Sequence, residues 1–390
     1  MGIDERMEQL KERRKALKWT QEKLASDAGI SRQYLSGLEA GRYPLTDEVY
    51  KKLMSAIEGG LNLVIDYVRV RFRTMDYGYI IEDILGLKMD YMVYEDYGWY
   101  GYSSHYEYGD IFILMSVDKE KGTLFEIKGQ GCRQFEGVLQ AQKRTWYDFF
   151  FACVQEDAVF KRVDLAVNDM LGILDVRQLA KKCSDHECVS KFHGYKTYLS
   201  GELVPREEKV GMGYTLYIGS VHSDIYFCIY QKDYEQYVKR GIPVDEVPVL
   251  NRFEVRLMND RGRHAVDDLL EWRDGEKTVF GIINQYVRFV DRDEKKDRSD
   301  WEVNDRWAWF LGENRRRLKL TAEPKPYSLI DTYNWLSRQV APTLKMVSMV
   351  DDENGTTILQ DMVERAELSE RQKHILKQCT TKVEDIIRSD

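Results

Sequence analysis

The stretch Thr20-Gln21-Glu22-Lys23-Leu24-Ala25-Ser26-Asp27-Ala28-Gly29-Ile30-Ser31-Arg32-Gln33-Tyr34-Leu35-Ser36-Gly37-Leu38-Glu39-Ala40-Gly41 decides how the first sixty residues fold. Thr20 is placed to cap a helix over 21–28, with Lys23 where a capping box would carry Glu. Gly29 supplies the left-handed residue that ends it. Ser31 caps a second helix reaching about Glu39, which Gly41 terminates. Ala25 is small where the two helices cross. Ile30, Leu35 and Leu38 pack the second helix on the first, which leaves Gln21, Arg32, Gln33 and Ser36 polar and outside. A second helix carried in this way fits the major groove of duplex DNA. Outward from this core, residues 5–17 predict a first helix with Met7, Leu10 and Leu17 on its apolar stripe. Thr46 or Asp47 caps a fourth helix over 48–57, and Gly59 and Gly60 form a hinge.

Residues 4–58 resemble the phage-repressor-type helix-turn-helix family. The resemblance implies that Arg32 and Gln33 read bases and that Gln21 meets the DNA backbone. Ser31, Tyr34 and Ser36 belong to the same DNA-facing set. Arginine suits guanine and glutamine suits adenine by bidentate geometry. The competing reading is a helical bundle used for protein contact.

After the hinge the hydrophobic period changes from helical to two. Across 61–72, Val64, Asp66, Val68, Val70 and Phe72 share one face. Further strands are expected at 110–116, 122–128, 161–168, 214–218, 225–231 and 251–258. Helical patterns fall near 78–86, 134–150, 175–183, 232–240, 262–272 and 277–290. Interleaved strands and helices indicate an α+β chain: an all-α helix-turn-helix domain, then a mixed α/β domain with a largely antiparallel central sheet and a helical C-terminal part. The expected divisions are 1–60, 61–295 and 296–390.

Three of these strands carry polar residues on one face. Arg162, Asp164 and Asn168 lie opposite Val163, Leu165 and Val167. Arg252, Glu254 and Arg256 lie opposite Phe253, Val255 and Leu257. Tyr226, Cys228, Tyr230 and Lys232 lie opposite Phe227 and Ile229. An antiparallel sheet with one solvated face gives this pattern. So does a face where carboxylates hold a divalent ion beside a tyrosine nucleophile, with Lys and Arg neutralising charge on a phosphate.

Residues 61–350 resemble the Rep_trans family of plasmid rolling-circle replication initiators and MobT-like relaxases of integrative conjugative elements. The resemblance runs through Ile65-Asp66-Tyr67, Glu126 with Gly129-Gln130-Gly131-Cys132-Arg133-Gln134, and Arg162-Val163-Asp164-Leu165-Ala166. It continues through Thr215-Leu216-Tyr217-Ile218-Gly219-Ser220, Ile229-Tyr230-Gln231-Lys232, Arg252-Phe253-Glu254-Val255-Arg256, Asn334-Trp335-Leu336 and Gln339-Val340-Ala341-Pro342. What it implies is a site-specific single-strand endonuclease that nicks DNA at an origin by tyrosine transesterification. The protein stays on the 5′ end as a phosphotyrosine, which starts conjugative transfer or rolling-circle replication of a mobile element. The added helix-turn-helix favours the relaxase branch. Tyr230 matches the family's Ile/Val-Tyr-x-Lys pattern and is the expected nucleophile. Asp66, Asp164 and Glu254 are the expected ligands of Mg²⁺ or Mn²⁺, with Glu126 and Asp169 behind them. Lys232, Arg133 and Arg256 are the expected phosphate contacts. The implied partners are double- and single-stranded origin DNA, a conjugation coupling protein and a host helicase, with a homodimer compatible. A helix-turn-helix transcriptional regulator with a non-catalytic sensor domain is the alternative, as is a plasmid initiator with the same chemistry.

Composition bounds these readings. The 390 residues are 43% hydrophobic and 32% charged, an ordinary globular balance. No apolar run approaches the ~20 residues that span a bilayer, so no membrane insertion is expected. A highly charged start and six scattered cysteines fit a cytoplasmic, reduced protein. The net charge of −8 excludes a chain coated in positive charge. Residues 1–60 nevertheless stand at net +1, and 11–18 hold five basic groups against one acid. Cys183, His186, Cys188 and His193 fit no strong zinc spacing and read as structural. The aromatic run from Tyr91 to Tyr108 suits either base stacking or ordinary packing. Arg315, Arg316 and Arg317 read as a solvated charge run. No phosphate-binding Gly-x-x-x-x-Gly-Lys loop is present, so unwinding would fall to another protein.

Overall fold

A computed structural model describes residues 5–16, 19–58, 60–199, 213–312, 320, 324 and 329–388. The arginines 315–317 lie outside the described residues. Four helices open the chain: α1 Glu5–Ala16, α2 Gln21–Asp27, α3 Arg32–Glu39 and α4 Asp47–Glu58. Their core is Met7, Leu10, Leu24, Ala25, Ala28, Leu35, Leu38, Leu53 and Ala56. The turn chemistry matches the sequence. Gly29 sits at φ +65°, the Ser31 hydroxyl accepts from the Tyr34 amide at 3.1 Å, and the Thr46 hydroxyl accepts from Val49 at 3.3 Å.

One buried ion pair ties α1 to α3. The Arg14 guanidinium donates to both Glu39 oxygens, at 2.7 and 2.9 Å, and to the Trp19 carbonyl at 2.7 Å. Both side chains are almost wholly out of water. Removing one partner strands the other's charge, which costs about 3–5 kcal/mol at buried pairs. Glu39→Ala is therefore expected to unfold residues 5–58 well below the wild-type melting temperature, read by circular dichroism of that helical signal. An unchanged melt would mean the pair contributes little.

Among the described residues twelve strands follow: β1 Leu61–Phe72, β2 Val93–Glu95, β3 Ser104–Tyr108, β4 Ile111–Met115, β5 Thr123–Lys128, β6 Val159–Asp169, β7 Cys188–Ser190, β8 Tyr195–Leu199, β9 Tyr214–Ile218, β10 Ile225–Gln231, β11 Asn251–Met258 and β12 Val287–Phe289. The chain groups into two compact units, one of residues 1–65 with 164–321 and one of residues 66–163 with 322–390. The first holds the strand order β6-β11-β10-β9-β8 and a small β12-β7 pair. The second holds β2-β3-β4-β5-β1. Within both, the pairings of β1 with β5, β2 with β3, β3 with β4, β4 with β5, β8 with β9, β9 with β10, β10 with β11 and β7 with β12 are antiparallel, so the α+β expectation holds.

In the first unit, alternation sends Phe227 and Ile229 of β10 and Phe253, Val255 and Leu257 of β11 into the core. The helix Asp305–Leu311 supplies Trp307 and Phe310, which meet Phe253 at 6.0 and 5.7 Å between ring centroids. Each such ring taken from water contributes roughly 1.5–3 kcal/mol. That rigid apolar side fixes the strands whose other side is polar.

In the second unit, Val68 and Val70 of β1 pair with Ile127 and Phe125 of β5. Phe125 packs against Phe135 and Phe149 of the helices Gln130–Ala141 and Trp146–Gln155. The sequence suggested one helix over 134–150. A capping box between Thr145 and Asp148 starts a new one instead.

Candidate active site

The polar face of the first unit gathers around Glu254. The register of β10 on β11 sets Tyr230 opposite Arg252, Cys228 opposite Glu254 and Tyr226 opposite Arg256. Period two then puts Tyr226, Cys228, Tyr230, Arg252, Glu254 and Arg256 on one side. The Tyr230 hydroxyl donates to Glu254 Oε1 at 2.7 Å. Arg256 donates to Glu254 Oε2 from Nε at 2.9 Å and from Nη2 at 2.7 Å. Arg256 Nε also lies 3.9 Å from Asp164 Oδ2, and its Nη1 donates to the Tyr226 hydroxyl at 3.3 Å. Burial works against the Arg256 charge, but Glu254 outweighs it, and the guanidinium is held more firmly protonated than usual.

Lys232 follows the strand and opens the helix Lys232–Arg240, where the helical pattern over 232–240 placed it. From there its Nζ donates to the Tyr230 hydroxyl at 3.3 Å and pairs with Glu235 Oε2 at 2.7 Å. Burial would raise the Glu235 carboxyl, yet Lys232 and Lys239 hold it down at about 2. Glu235 was not anticipated, although its i,i+3 spacing from Lys232 on a helix was readable. Burial lifts the Cys228 thiol to about 12, with Glu254 adding to it, so this cysteine stays a neutral thiol beside the tyrosine.

Other expected site residues are engaged elsewhere. Asp169 accepts from the Leu171 and Leu174 amides at 2.9 and 2.8 Å and from Asn251 Nδ2 at 3.1 Å, so it braces the loop after β6. Burial pushes its carboxyl up against the pull of those donors. Asn168 accepts from Arg252 Nε at 2.7 Å. Glu126, Arg133 and Asp66 belong to the second unit. Glu126, 2% exposed, accepts from the Tyr67 hydroxyl, from Trp99 Nε1 at 2.7 Å and from the Tyr100 hydroxyl at 3.1 Å. It ties the aromatic loop onto the sheet, with Arg69 stacked on Tyr100 and Arg162 on Tyr67. Arg133 is buried and paired with Glu136 at 2.9 Å. Asp66 shares the face of Val68 and Val70, opposite Tyr67.

These positions bear on the expected divalent ion. Both Glu254 oxygens are engaged, one by Tyr230 and one by Arg256, and Asp164 faces the same guanidinium. Among the described residues no group of three His, Cys, Asp or Glu side chains is arranged to hold a metal. Of the expected set, Asp164 and Glu254 lie in the first unit, both beside Arg256, and Asp66 lies in the second.

On the helix-turn-helix, Arg32, Gln33 and Ser31 are exposed, and Ser36 is half-buried. Arg32 lies 3.7 Å from Glu22 across open surface. Tyr34 is half-buried against the Tyr43 ring, 5.6 Å between centroids. Gln21 Nε2 donates to Glu39 Oε2 at 2.7 Å, which seats it on the buried ion pair.

The fold and this cluster define a DNA-processing protein of the rolling-circle initiator class with a helix-turn-helix in front. The family described as Replication initiation factor (Rep_trans) matches residues 158–363, more than half of the chain, and the chain belongs to it. The family described as Rolling Circle replication initiation protein N-terminal domain matches residues 62–152. A helix-turn-helix family matches residues 10–62. The chain is 40% identical over 340 residues to the Bacillus subtilis (strain 168) protein named "Putative DNA relaxase NicK", covering 87% of this chain and 96% of that one. It is similar in structure to a rolling circle replication initiator protein from Geobacillus stearothermophilus. That match has a TM-score of 0.57 and 26% identity, and covers 68% of this chain and all of the other. Among the described residues no helix is long and apolar enough to cross a membrane.

Proposed function

We propose that the protein is a relaxase that nicks one DNA strand at an origin through Tyr230 and so starts transfer or replication of a mobile element. The observation that carries this reading is the Tyr230 hydroxyl held between Glu254 at 2.7 Å and Lys232 at 3.3 Å. Glu254 is within reach to take the phenolic proton, and Lys232 stabilises the phenolate as it forms. The Tyr230 oxygen bonds to the scissile phosphorus, the bond from phosphorus to the 3′ oxygen breaks, and that oxygen takes up a proton. The products are a 5′-phosphotyrosine and a free 3′ hydroxyl. Arg256 is oriented by Glu254 and Tyr226 to face the phosphate. A regulator with a non-catalytic sensor domain needs no such arrangement of a tyrosine, a carboxylate and two cations.

The helix-turn-helix would hold duplex DNA beside the origin while the site acts on an exposed strand. Two modest contacts on one DNA gain from effective concentration. A coupling protein and a host helicase would complete the process, the latter because the chain has no phosphate-binding loop. The direct test is a supercoiled plasmid carrying the element's origin. The protein should convert it to open circles with protein on the 5′ end. Running the assay with Mn²⁺ and with a chelator tests whether an ion is recruited. Absence of nicking in both would sink the reading. Arg32→Ala should weaken duplex binding by about 1–3 kcal/mol at the cognate site and relax base preference there. A uniform loss on all sequences would instead make Arg32 a phosphate contact.

A further inference from the structure

The second unit carries a helical arm whose apolar surface exceeds what it uses. It comprises Ile330–Trp335, Leu336–Val340, Ala341–Asn354 and Ile358–Glu364, which pack chiefly against one another. Neither Ala341–Asn354 nor Ile358–Glu364 has a fully buried residue. Along Ala341–Asn354 there are two stripes. Leu344, Val347 and Asp351 are half-buried, and Asp351 accepts from the Ile358 and Leu359 amides at 2.9 Å. That side meets the next helix. Met346, Met349 and Val350 lie about 140° round the helix, at 3.6 residues per turn, and are 59%, 62% and 42% exposed. On the following helix Ile358 and Met362, one turn apart, are each 50% exposed. Short helices with an open apolar stripe are marginal alone. Exposed methionines suit a surface that adapts to a partner.

Charge selects the partner. From 341 to 368 the arm holds Lys345 and Arg365 against six carboxylates between Asp351 and Glu367, net −4. That sign repels nucleic acid and anionic lipid. It also sets like charges together if two arms meet, which is costly at an interface. We infer that the arm is a docking site for another protein that presents an apolar stripe flanked by lysine and arginine, laid onto Met346, Met349 and Val350 as an amphipathic helix.

The test uses the full chain and a labelled helical peptide of leucine and lysine about five turns long (~18 residues), with leucine at i, i+3 and i+4. A leucine–glutamate peptide of the same pattern is the control. The lysine peptide should bind and the glutamate peptide should not. Met346→Ser with Met349→Ser, which keeps every charge, should weaken binding at least about tenfold. Asp352→Lys with Glu353→Lys should do the same. Both variants should nick origin DNA at the wild-type rate, which reports an intact fold. No peptide binding would overturn the proposal, as would binding indifferent to the methionines. So would a wild-type dimer in sedimentation that the methionine variant splits, since a second copy would then cover the stripe.

Discussion

Tyr230→Phe is expected to abolish the covalent protein–DNA adduct on single-stranded origin DNA, to below detection rather than to a reduced level. Phenylalanine keeps the ring on β10 and removes the one atom that would bond to phosphorus. Neighbouring tyrosines offer poor substitutes. Tyr226, four residues away on the same face, is buried, and its hydroxyl accepts from Arg256. Tyr217 is half-buried, and burial, with Cys228 behind it, pushes its hydroxyl up to about 12. The fold should survive, because Tyr230 is only half-buried. The lost donor to Glu254 costs about 1–3 kcal/mol at most. Duplex binding by residues 5–58 should be unchanged, which separates loss of chemistry from loss of protein. A persisting adduct would move the nucleophile to another tyrosine.

Glu254→Gln is the second large effect. Glutamine keeps the shape and can still accept from Tyr230, but it cannot take the proton. A general base contributes typically 10²–10⁴-fold, so the adduct should form more slowly by about that factor. The substitution also takes from Arg256 the carboxylate that holds its two close bonds, with Asp164 at 3.9 Å beside it. Some loss of stability should follow, by up to about 3–5 kcal/mol if the guanidinium is left uncompensated. Single-turnover rates well below the variant's melting temperature separate the two effects. A wild-type rate would remove Glu254 from the chemistry and leave it as a brace for Arg256.

Glu235 gives the pH dependence a sign. Its folded carboxyl is held down at about 2, below the ordinary 4.5. Its pairing with Lys232 therefore adds stability above about 4.5 that is lost as pH falls towards 2.

The parts of this account that the sequence discloses are those whose signal is local. Capping by Ser31, the turn at Gly29 and the apolar spacing of Leu24, Leu35 and Leu38 suffice for the helix-turn-helix. The strands 214–218, 225–231 and 251–258 are readable to the residue because one face is core and the other polar. Alternation also gathers Tyr230, Glu254 and Arg256 on one side, but only a family resemblance singles out one tyrosine among 25. Partners across the fold are another matter. Nothing local says that Arg133 is committed to Glu136, or that Glu126 is a knot for Tyr67, Trp99 and Tyr100. The strands β2 and β3 escape notice because short, tyrosine-rich segments show no clear alternation.

The central claim is that Tyr230 becomes the 5′-phosphotyrosine. The wild-type adduct should be formed on single-stranded origin DNA, trimmed with nuclease and protease, and read by mass spectrometry. The expected result is the nucleotide on Tyr230, within the tryptic peptide 210–232. A nucleotide on Tyr226, Tyr217 or any tyrosine of the second unit would contradict it.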